Sequence, residues 1–416
     1  VSVGQLLRSL LDRRWFIPSL VGIVALATRI PNLSRPPVLV FDEIFYANDA
    51  LDLLTHGAER GFAAHPPLGK WMIAISIRAF GFTPTGWRVA PLLAGAIVAG
   101  LASAIVAYRT TSRLLQLAVG LLVVFDGITF VTSRLALLDG LVALWTTALL
   151  LLLTAVLVRG PRRADAFVAG ALLGAACATK WSAIPLIPVV LVVFFLAADG
   201  RVAVRAGLHA CARCLGVAVL VYVAAFGGWL LHGGGPAACD PRCPTNVATR
   251  TASLWRVQAD MGSYQLRLKR TNSSLAPAWT WVLQTRPTTL FRQSCAVDEP
   301  DRNVCGNHHE GTASLRARGS VVFWLFGTVS ILYLVARRHR GSVLLAAFAL
   351  TLWLPWLVVG KSYSFYGATL VPVLAVAIGS ALSTLGRAGR LILVMVLAAA
   401  LVQFVVGYAA LAGLPS

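Results

Sequence analysis

The chain has 416 residues, of which 58% are hydrophobic and only 12% charged, with a mean hydropathy of +0.77. So little polar surface excludes a soluble body of this size. A net charge of +20 and a pI near 10.8 would suit a nucleic-acid partner in a soluble protein, but here the basic residues punctuate apolar runs of spanning length, so a membrane protein with no nucleic-acid role is expected.

In chain order, Trp15 to Ile30 is an apolar run preceded by Arg8, Arg13 and Arg14. Its polarity is that of a signal peptide, yet no small-residue cleavage site follows, and a retained first helix is expected. Further apolar runs lie at 86–108, 114–132, 136–158, 164–180, 182–198, 206–231, 319–336, 342–360, 364–384 and 391–412. Each suits a hydrocarbon core of ~30 Å. The expected fold is all-α and polytopic, one membrane-embedded catalytic domain over residues 1–416 with about 11 transmembrane helices and amphipathic helices on its outer face.

With the N-terminus cytoplasmic and sides alternating, every inner connection is basic. The inner groups are Arg8, Arg13 and Arg14; Arg109 and Arg113; Arg159, Arg162 and Arg163; Arg201, Arg205 and Arg213; Arg337, Arg338 and Arg340; and Arg387 and Arg390. That is the positive-inside pattern. Two outer regions, 31–85 and 232–318, are too long to be turns, and chemistry is expected there. In the first, Ile44, Ala47, Leu51 and Leu54 fall at helical spacing, which describes an amphipathic helix over 44–56, and 70–80 is a second candidate. The second region, with Gly233-Gly234-Gly235-Pro236 and many Trp and Arg residues, reads as an external cap. No internal repeat and no separate soluble domain is evident.

Four of the seven cysteines, Cys239, Cys243, Cys295 and Cys305, fall in the second outer region, which suits an oxidising exterior. Pairing 239 with 243 and 295 with 305 is the simplest of three connectivities. Cys211 and Cys214 have the spacing of half a metal or redox site but no matching second pair, and Cys177 is expected to pack.

Acidic candidates are few. Asp42 and Glu43 follow the first helix and open the amphipathic one, where they suit either catalysis or simple capping. Downstream, His65-Pro66-Pro67-Leu68-Gly69-Lys70 joins a rigid turn to a cation. Arg29, Arg134, Lys180 and Lys361 bring further cations to the same expected depth. Separate helices delivering cations to one level suggest a site for a lipid-linked phosphate.

These residues resemble the protein O-mannosyltransferases, a branch of the C-type glycosyltransferases. The likeness runs through Phe41-Asp42-Glu43, His65 to Lys70, Gly86-Trp87-Arg88, Asp126-Gly127, Ser133-Arg134 to Asp139, Thr179-Lys180-Trp181, Ser253-Leu254-Trp255, Trp279 to Pro287, and Tyr363 to Pro372. The family has an eleven-helix plan, which agrees with the hydropathy reading. The resemblance implies polyprenyl-phosphate mannose as donor, Ser or Thr hydroxyls of secreted or membrane proteins as acceptors, and inversion at the anomeric carbon. Without the luminal domain that eukaryotic members insert in the second long loop, the chain looks like a bacterial, actinobacterial-type version in the plasma membrane. Secretion machinery is a further candidate partner.

On this reading Asp42 accepts the hydroxyl proton and Glu43 orients acceptor or sugar, with the roles exchangeable. Arg134 and Lys180 are expected to stabilise the leaving phosphate, with Lys70 and Lys361 in support. His65, Asp139 and Tyr366 are the candidates for sugar and acceptor binding. Cations suffice for a single phosphate, so metal-independent transfer is preferred to a divalent ion on Asp42 and Glu43. One departure stands out: bacterial relatives tend to carry histidine-containing segments after Ser-Leu-Trp, whereas here Arg256, Val257, Gln258 and Ala259 follow, with His308 and His309 far downstream. The alternatives are a sibling transferase acting on a lipid or cell-wall glycan, a transporter, which would typically show paired repeats, and a structural subunit.

Overall fold

The computed structural model describes residues 14–61, 64–197, 203–233, 247–267, 274–295, 302–305, 312–339, 341–359 and 361–415. Arg8, Arg13, Arg201, Arg340, Gly234 to Pro236, the expected pairing of Cys239 with Cys243, and His308 and His309 lie outside them.

All eleven expected apolar segments coincide with helical segments. They are α1 (Phe16–Arg29), α4 (Pro84–Ala107), α5 with α6 (Arg113–Val124 and Gly127–Thr132), α7 (Leu138–Arg159) and α8 (Arg163–Thr179). Next come a 3-10 turn running into α9 (Trp181–Leu186 and Ile187–Leu196) and α10 with α11 (Ala203–Ala225 and Gly227–His232). The last four are α14 (Val321–Ala336), α15 (Ser342–Val359), a 3-10 turn leading to α16 (Ser364–Thr369 and Val371–Ser383), and α17 (Gly386–Ala412). Five of these helices are both long and apolar enough to cross a membrane. Their outward residues stay apolar, as at Val406, which is 81% exposed. Such a surface is stable only against lipid, and the chain is a membrane protein.

The two expected amphipathic helices are α2 (Glu43–His56) and α3 (Leu68–Phe80). They pack on each other, and α3 also packs on α4. The second long region expected outside contains α12 (Val247–Arg267) and a feature that the hydropathy pattern does not signal. There β1 (Thr288–Ser294) pairs antiparallel with β2 (Thr312–Ala317), and Cys295 is joined to Cys305 at the end of the short helix α13 (Arg302–Cys305).

Two local choices set the packing of the bundle. The third apolar run breaks at Asp126, which caps α6 by accepting from the Ile128 and Thr129 N–H groups at 3.0 and 3.2 Å. The other carboxylate oxygen of Asp126 accepts from the Trp324 indole at 3.0 Å and the Ser320 N–H at 3.2 Å, which joins α6 to α14. On α8, Gly170 and Gly174 lie one turn apart and face α10. A Cβ on Gly174 would stand 2.5 Å from the Ala218 carbonyl oxygen, so only glycine lets the two backbones approach this closely. Cys214 packs at the same seam, Cys211 donates to the Leu191 carbonyl, and Cys177 is buried. All three behave as packing residues.

Closing a loop of this length with a disulfide restricts the unfolded segment and is worth roughly 3 kcal/mol. Replacing Cys295 by Ser is therefore expected to raise amide exchange across residues 288–294 and 312–317 while leaving the apolar helices protected. Exchange mass spectrometry measures this directly.

Candidate active site

Arg88, on the first turns of α4, is fully buried and uses all five of its N–H donors. Nε and one Nη2 hydrogen donate to the Glu43 carboxylate at 2.9 and 2.8 Å. The others go to the carbonyls of Leu33 at 3.1 Å, Pro36 at 2.9 Å and Val38 at 3.1 Å. Glu43 in turn accepts from the N–H groups of Val40 at 3.1 Å and Ala136 at 2.8 Å. The Glu43 carboxylate is thus occupied by four protein donors, and its position ties α2, α4, the 33–40 loop and the start of α7 together. This differs from the expectation that Glu43 faces sugar or acceptor.

Asp42 sits one residue earlier at the mouth of this structure, half-buried, and makes no side-chain capping bond to α2. Its backbone is held from the other side by Phe41, whose φ of 51° is in the left-handed region. The Phe41 ring packs edge-on against Tyr363 at 5.1 Å and Phe365 at 5.7 Å, so Asp42 lies beside the aromatic turn before α16. The Tyr46 hydroxyl approaches Asp42 Oδ2 at 3.4 Å. Burial pushes the Tyr46 hydroxyl well above its ordinary pKa, and Asp42, Asp139, Tyr366 and Asp49 push it further in the same direction. His65 joins them, its ring 6.0 Å from that of Tyr46.

The expected phosphate cations divide into different situations. Lys180 is buried and donates to both oxygens of Asp139 at 2.8 and 2.9 Å, with Nζ 4.1 Å from the centre of the Tyr366 ring. Tyr366 also packs on Trp356 at 4.5 Å. Lys361 is exposed at the start of the same aromatic turn. Arg134, by contrast, donates to the carbonyls of Arg29, Pro31 and Asn32, so it caps the C-terminal end of α1. Arg29 is directed inward to Ser133 and the Val124 carbonyl. Lys70 is enclosed between Glu59 at 2.6 Å and Asp49 at 2.9 Å, and Glu59 also accepts from the Trp229 indole at 2.8 Å. Burial raises the Glu59 carboxyl pKa, with Lys70 opposing it. Against burial, which would lower it, Glu59 and Asp49 hold the Lys70 ammonium above its ordinary value.

Sequence reasoning missed the partners: Arg88 as the counterion of Glu43, Glu59 and Asp49 around Lys70, and Tyr46 at the centre of the site. The segment after Trp255 also has a place. The Trp181 indole donates to the Tyr222 hydroxyl at 2.9 Å, which donates to Gln258 at 2.6 Å. Through this chain α12 reaches the neighbour of Lys180, and Gln265 reaches the Ala64 carbonyl beside His65. Among the described residues no group of three or more His, Cys, Asp or Glu side chains is arranged to hold a metal ion.

The whole arrangement is a helical bundle carrying acids, cations and aromatic rings at one end, and solved membrane glycosyltransferases share its fold. The S. cerevisiae protein O-mannosyltransferase Pmt1-Pmt2 complex bound to the sugar donor superposes with a TM-score of 0.80 at 10% identity, over 96% of this chain and 90% of that one. ArnT from Cupriavidus metallidurans gives 0.61 at 18% identity, over 90% of this chain and 61% of that one. The fold is therefore that of the C-type membrane glycosyltransferases.

Sequence comparison narrows the class. Residues 64–229 and 19–88 each match a family described as dolichyl-phosphate-mannose-protein mannosyltransferase. A polyprenol-phosphate-mannose--protein mannosyltransferase of Mycobacterium tuberculosis is 30% identical over 88% of this chain and 80% of its own length. The Corynebacterium glutamicum enzyme of the same description is 25% identical over 90% and 83%. The chain belongs to this protein mannosyltransferase family.

Two outcomes are expected. Glu43→Gln and Arg88→Met should each cost about 3–5 kcal/mol, because either leaves a buried charge or polar group without its partner, and the double variant should lose less than the sum. Thermal unfolding in detergent gives the cycle, and strict additivity would argue against coupling. For Lys70, whose pKa is raised on folding, the contribution to stability is fully present below the ordinary lysine value. It is lost as pH rises through the higher folded value. The gap in melting temperature between the parent protein and Lys70→Met should therefore be constant through neutral pH and narrow only in strong alkali.

Proposed function

We propose that the chain transfers mannose from a polyprenyl-phosphate carrier to Ser or Thr hydroxyls of protein acceptors, on the outer face of the plasma membrane and with inversion. The observation that carries the mechanism is the division within the Asp42-Glu43 pair: Glu43 is immobilised by Arg88 and two backbone N–H groups, while Asp42 sits beside Tyr46 and the aromatic turn. Two adjacent carboxylates then do two different jobs. Asp42 is the base, and Glu43 positions it.

In the reaction the acceptor oxygen attacks the anomeric carbon as its proton passes to Asp42. The bond from that carbon to the phosphate oxygen breaks, and its electron pair leaves with the polyprenyl phosphate. That leaving group needs charge compensation more than a proton. Lys180, on the face of Tyr366, and Lys361, at the start of the same turn, are the cations best placed to supply it. Arg134 and Lys70 act through structure, the first by capping α1 and the second by joining α3 to Asp49 and Glu59. His65 and Asp139 shape the sugar pocket around Tyr46. The cations meet the phosphate without a divalent ion.

Purified protein given labelled polyprenyl-phosphate mannose and a Ser/Thr peptide should label the peptide. Asp42→Asn should lower transfer by roughly 10²–10⁴-fold with the fold intact, as for loss of a general base. Lys180→Gln should act mainly through donor saturation. Transfer by Asp42→Asn at the parent rate would remove Asp42 as base, and transfer to a lipid or glycan in place of peptide would overturn the acceptor.

A further inference from the structure

A second site lies at the far end of the bundle. α4 begins at the Glu43–Arg88 pair and ends at Ala107, and α7 begins beside Asp139 and ends at Arg159. At ~1.5 Å per residue, helices of 24 and 22 residues separate these ends by more than 30 Å. There, between the ends of α4, α7 and α16 and the start of α15, is a cavity of about 660 Å³. It is not a continuation of the candidate active site, and its assignment does not depend on the reaction proposed above.

Its walls are of two kinds. Arg109, His339, Thr154, Ser380 and Ser383 line one part, and Leu157, Val158, Leu344 and Leu345 the other. His339 Nδ1 is buried, and it makes no hydrogen bond among the described residues. A buried ring nitrogen left this way costs on the order of 1–3 kcal/mol unless a ligand or water satisfies it. Burial also depresses the pKa of Arg109 below its ordinary value, a cost that a nearby anion would offset. Gly341, at φ 82°, allows the Arg109 guanidinium to lie directly against the turn before α15, where any side chain would collide with it. The turn is thus shaped around this arginine.

The second wall indicates the source of the anion. Leu157 and Val158 are 49% and 56% exposed on the outside of the bundle, so the cavity adjoins the surface that faces acyl chains. Its volume is within the ~300–1,000 Å³ range of sites for whole organic ligands and exceeds what a lone phosphate fills. Around it stand further cations, with Arg14 over the Tyr108 ring and Arg113, Arg337 and Arg338 on the adjoining turns. We propose that this cavity binds the phosphate headgroup of an anionic phospholipid. Arg109 and His339 donate to the phosphate oxygens, the hydroxyls of Ser380 and Ser383 meet the polar headgroup, and the Leu157–Val158 rim receives the acyl chains.

The test uses the full chain, delipidated in neutral detergent and titrated separately with phosphatidylglycerol, phosphatidylcholine and inorganic phosphate, with bound ligand counted by native mass spectrometry. Phosphatidylglycerol should bind in preference to phosphatidylcholine. Arg109→Gln and His339→Leu, made separately so that one misfolded variant does not end the test, should each weaken it on the order of tenfold, as loss of a charge-assisted hydrogen bond does. Arg337→Gln, an exposed arginine outside the cavity, should bind as the parent protein does. Equal binding by the parent protein and both cavity variants would overturn the site. An equal loss in Arg337→Gln would reduce it to general attraction by basic turns. Occupancy by inorganic phosphate without phosphatidylglycerol would overturn the lipid assignment.

Discussion

Glu43 and Arg88 form a pair in which nothing is left over: five guanidinium donors and a carboxylate accepting four hydrogen bonds, all within the protein. A charge buried inside the bundle is tolerable only when matched this completely, because each unpaired donor or acceptor would carry its full desolvation cost. The rest of the site inherits its geometry from the pair. It fixes the start of α2, hence the position of Asp42, hence the relation of Asp42 to the aromatic turn that Phe41 touches. Lys180, Asp139 and Tyr366 stand together beside it, drawn from the turn after α8, from α7 and from the turn before α16.

The same principle explains the cations. From sequence, Arg29, Lys70, Arg134, Lys180 and Lys361 are expected near one depth, and a lipid phosphate is the natural inference. Sequence does not show that a cation at that depth needs a partner even when no substrate is present. Arg134 finds helix-end carbonyls, Lys70 finds Glu59 and Asp49, and Lys180 finds Asp139. Those partners are 11 to 105 residues away in sequence, beyond any local pattern.

What was legible follows from this distinction. Apolar helical segments are written locally, in runs of apolar residues, and each expected run coincides with one, five of them long enough to cross a membrane. The bond between Cys295 and Cys305 was readable because few cysteines were near enough to pair. The β1–β2 hairpin was not, since its strands carry Arg292 and Arg316 and have no sustained alternation. The break at Asp126 lay hidden inside an apolar run, since one carboxylate capping a short helix leaves hydropathy almost unchanged. Glu43 and Asp42 looked interchangeable as neighbours, and only the long-range partner Arg88 separates them.

The cap on α1 also bears on the order in which the molecule can be made. The carbonyls that end the first helix are met by Arg134, 105 residues later, and the following loop is gathered by Arg88, 55 and 52 residues after Leu33 and Pro36. During synthesis α1 therefore enters the bilayer with its C-terminal end unfinished and dependent on water. Asp42 reaches its working position only after α4 and the start of α7 have arrived. Asp42 thus precedes in the chain the partners that fix its neighbour Glu43, and its setting waits until the bundle around it exists.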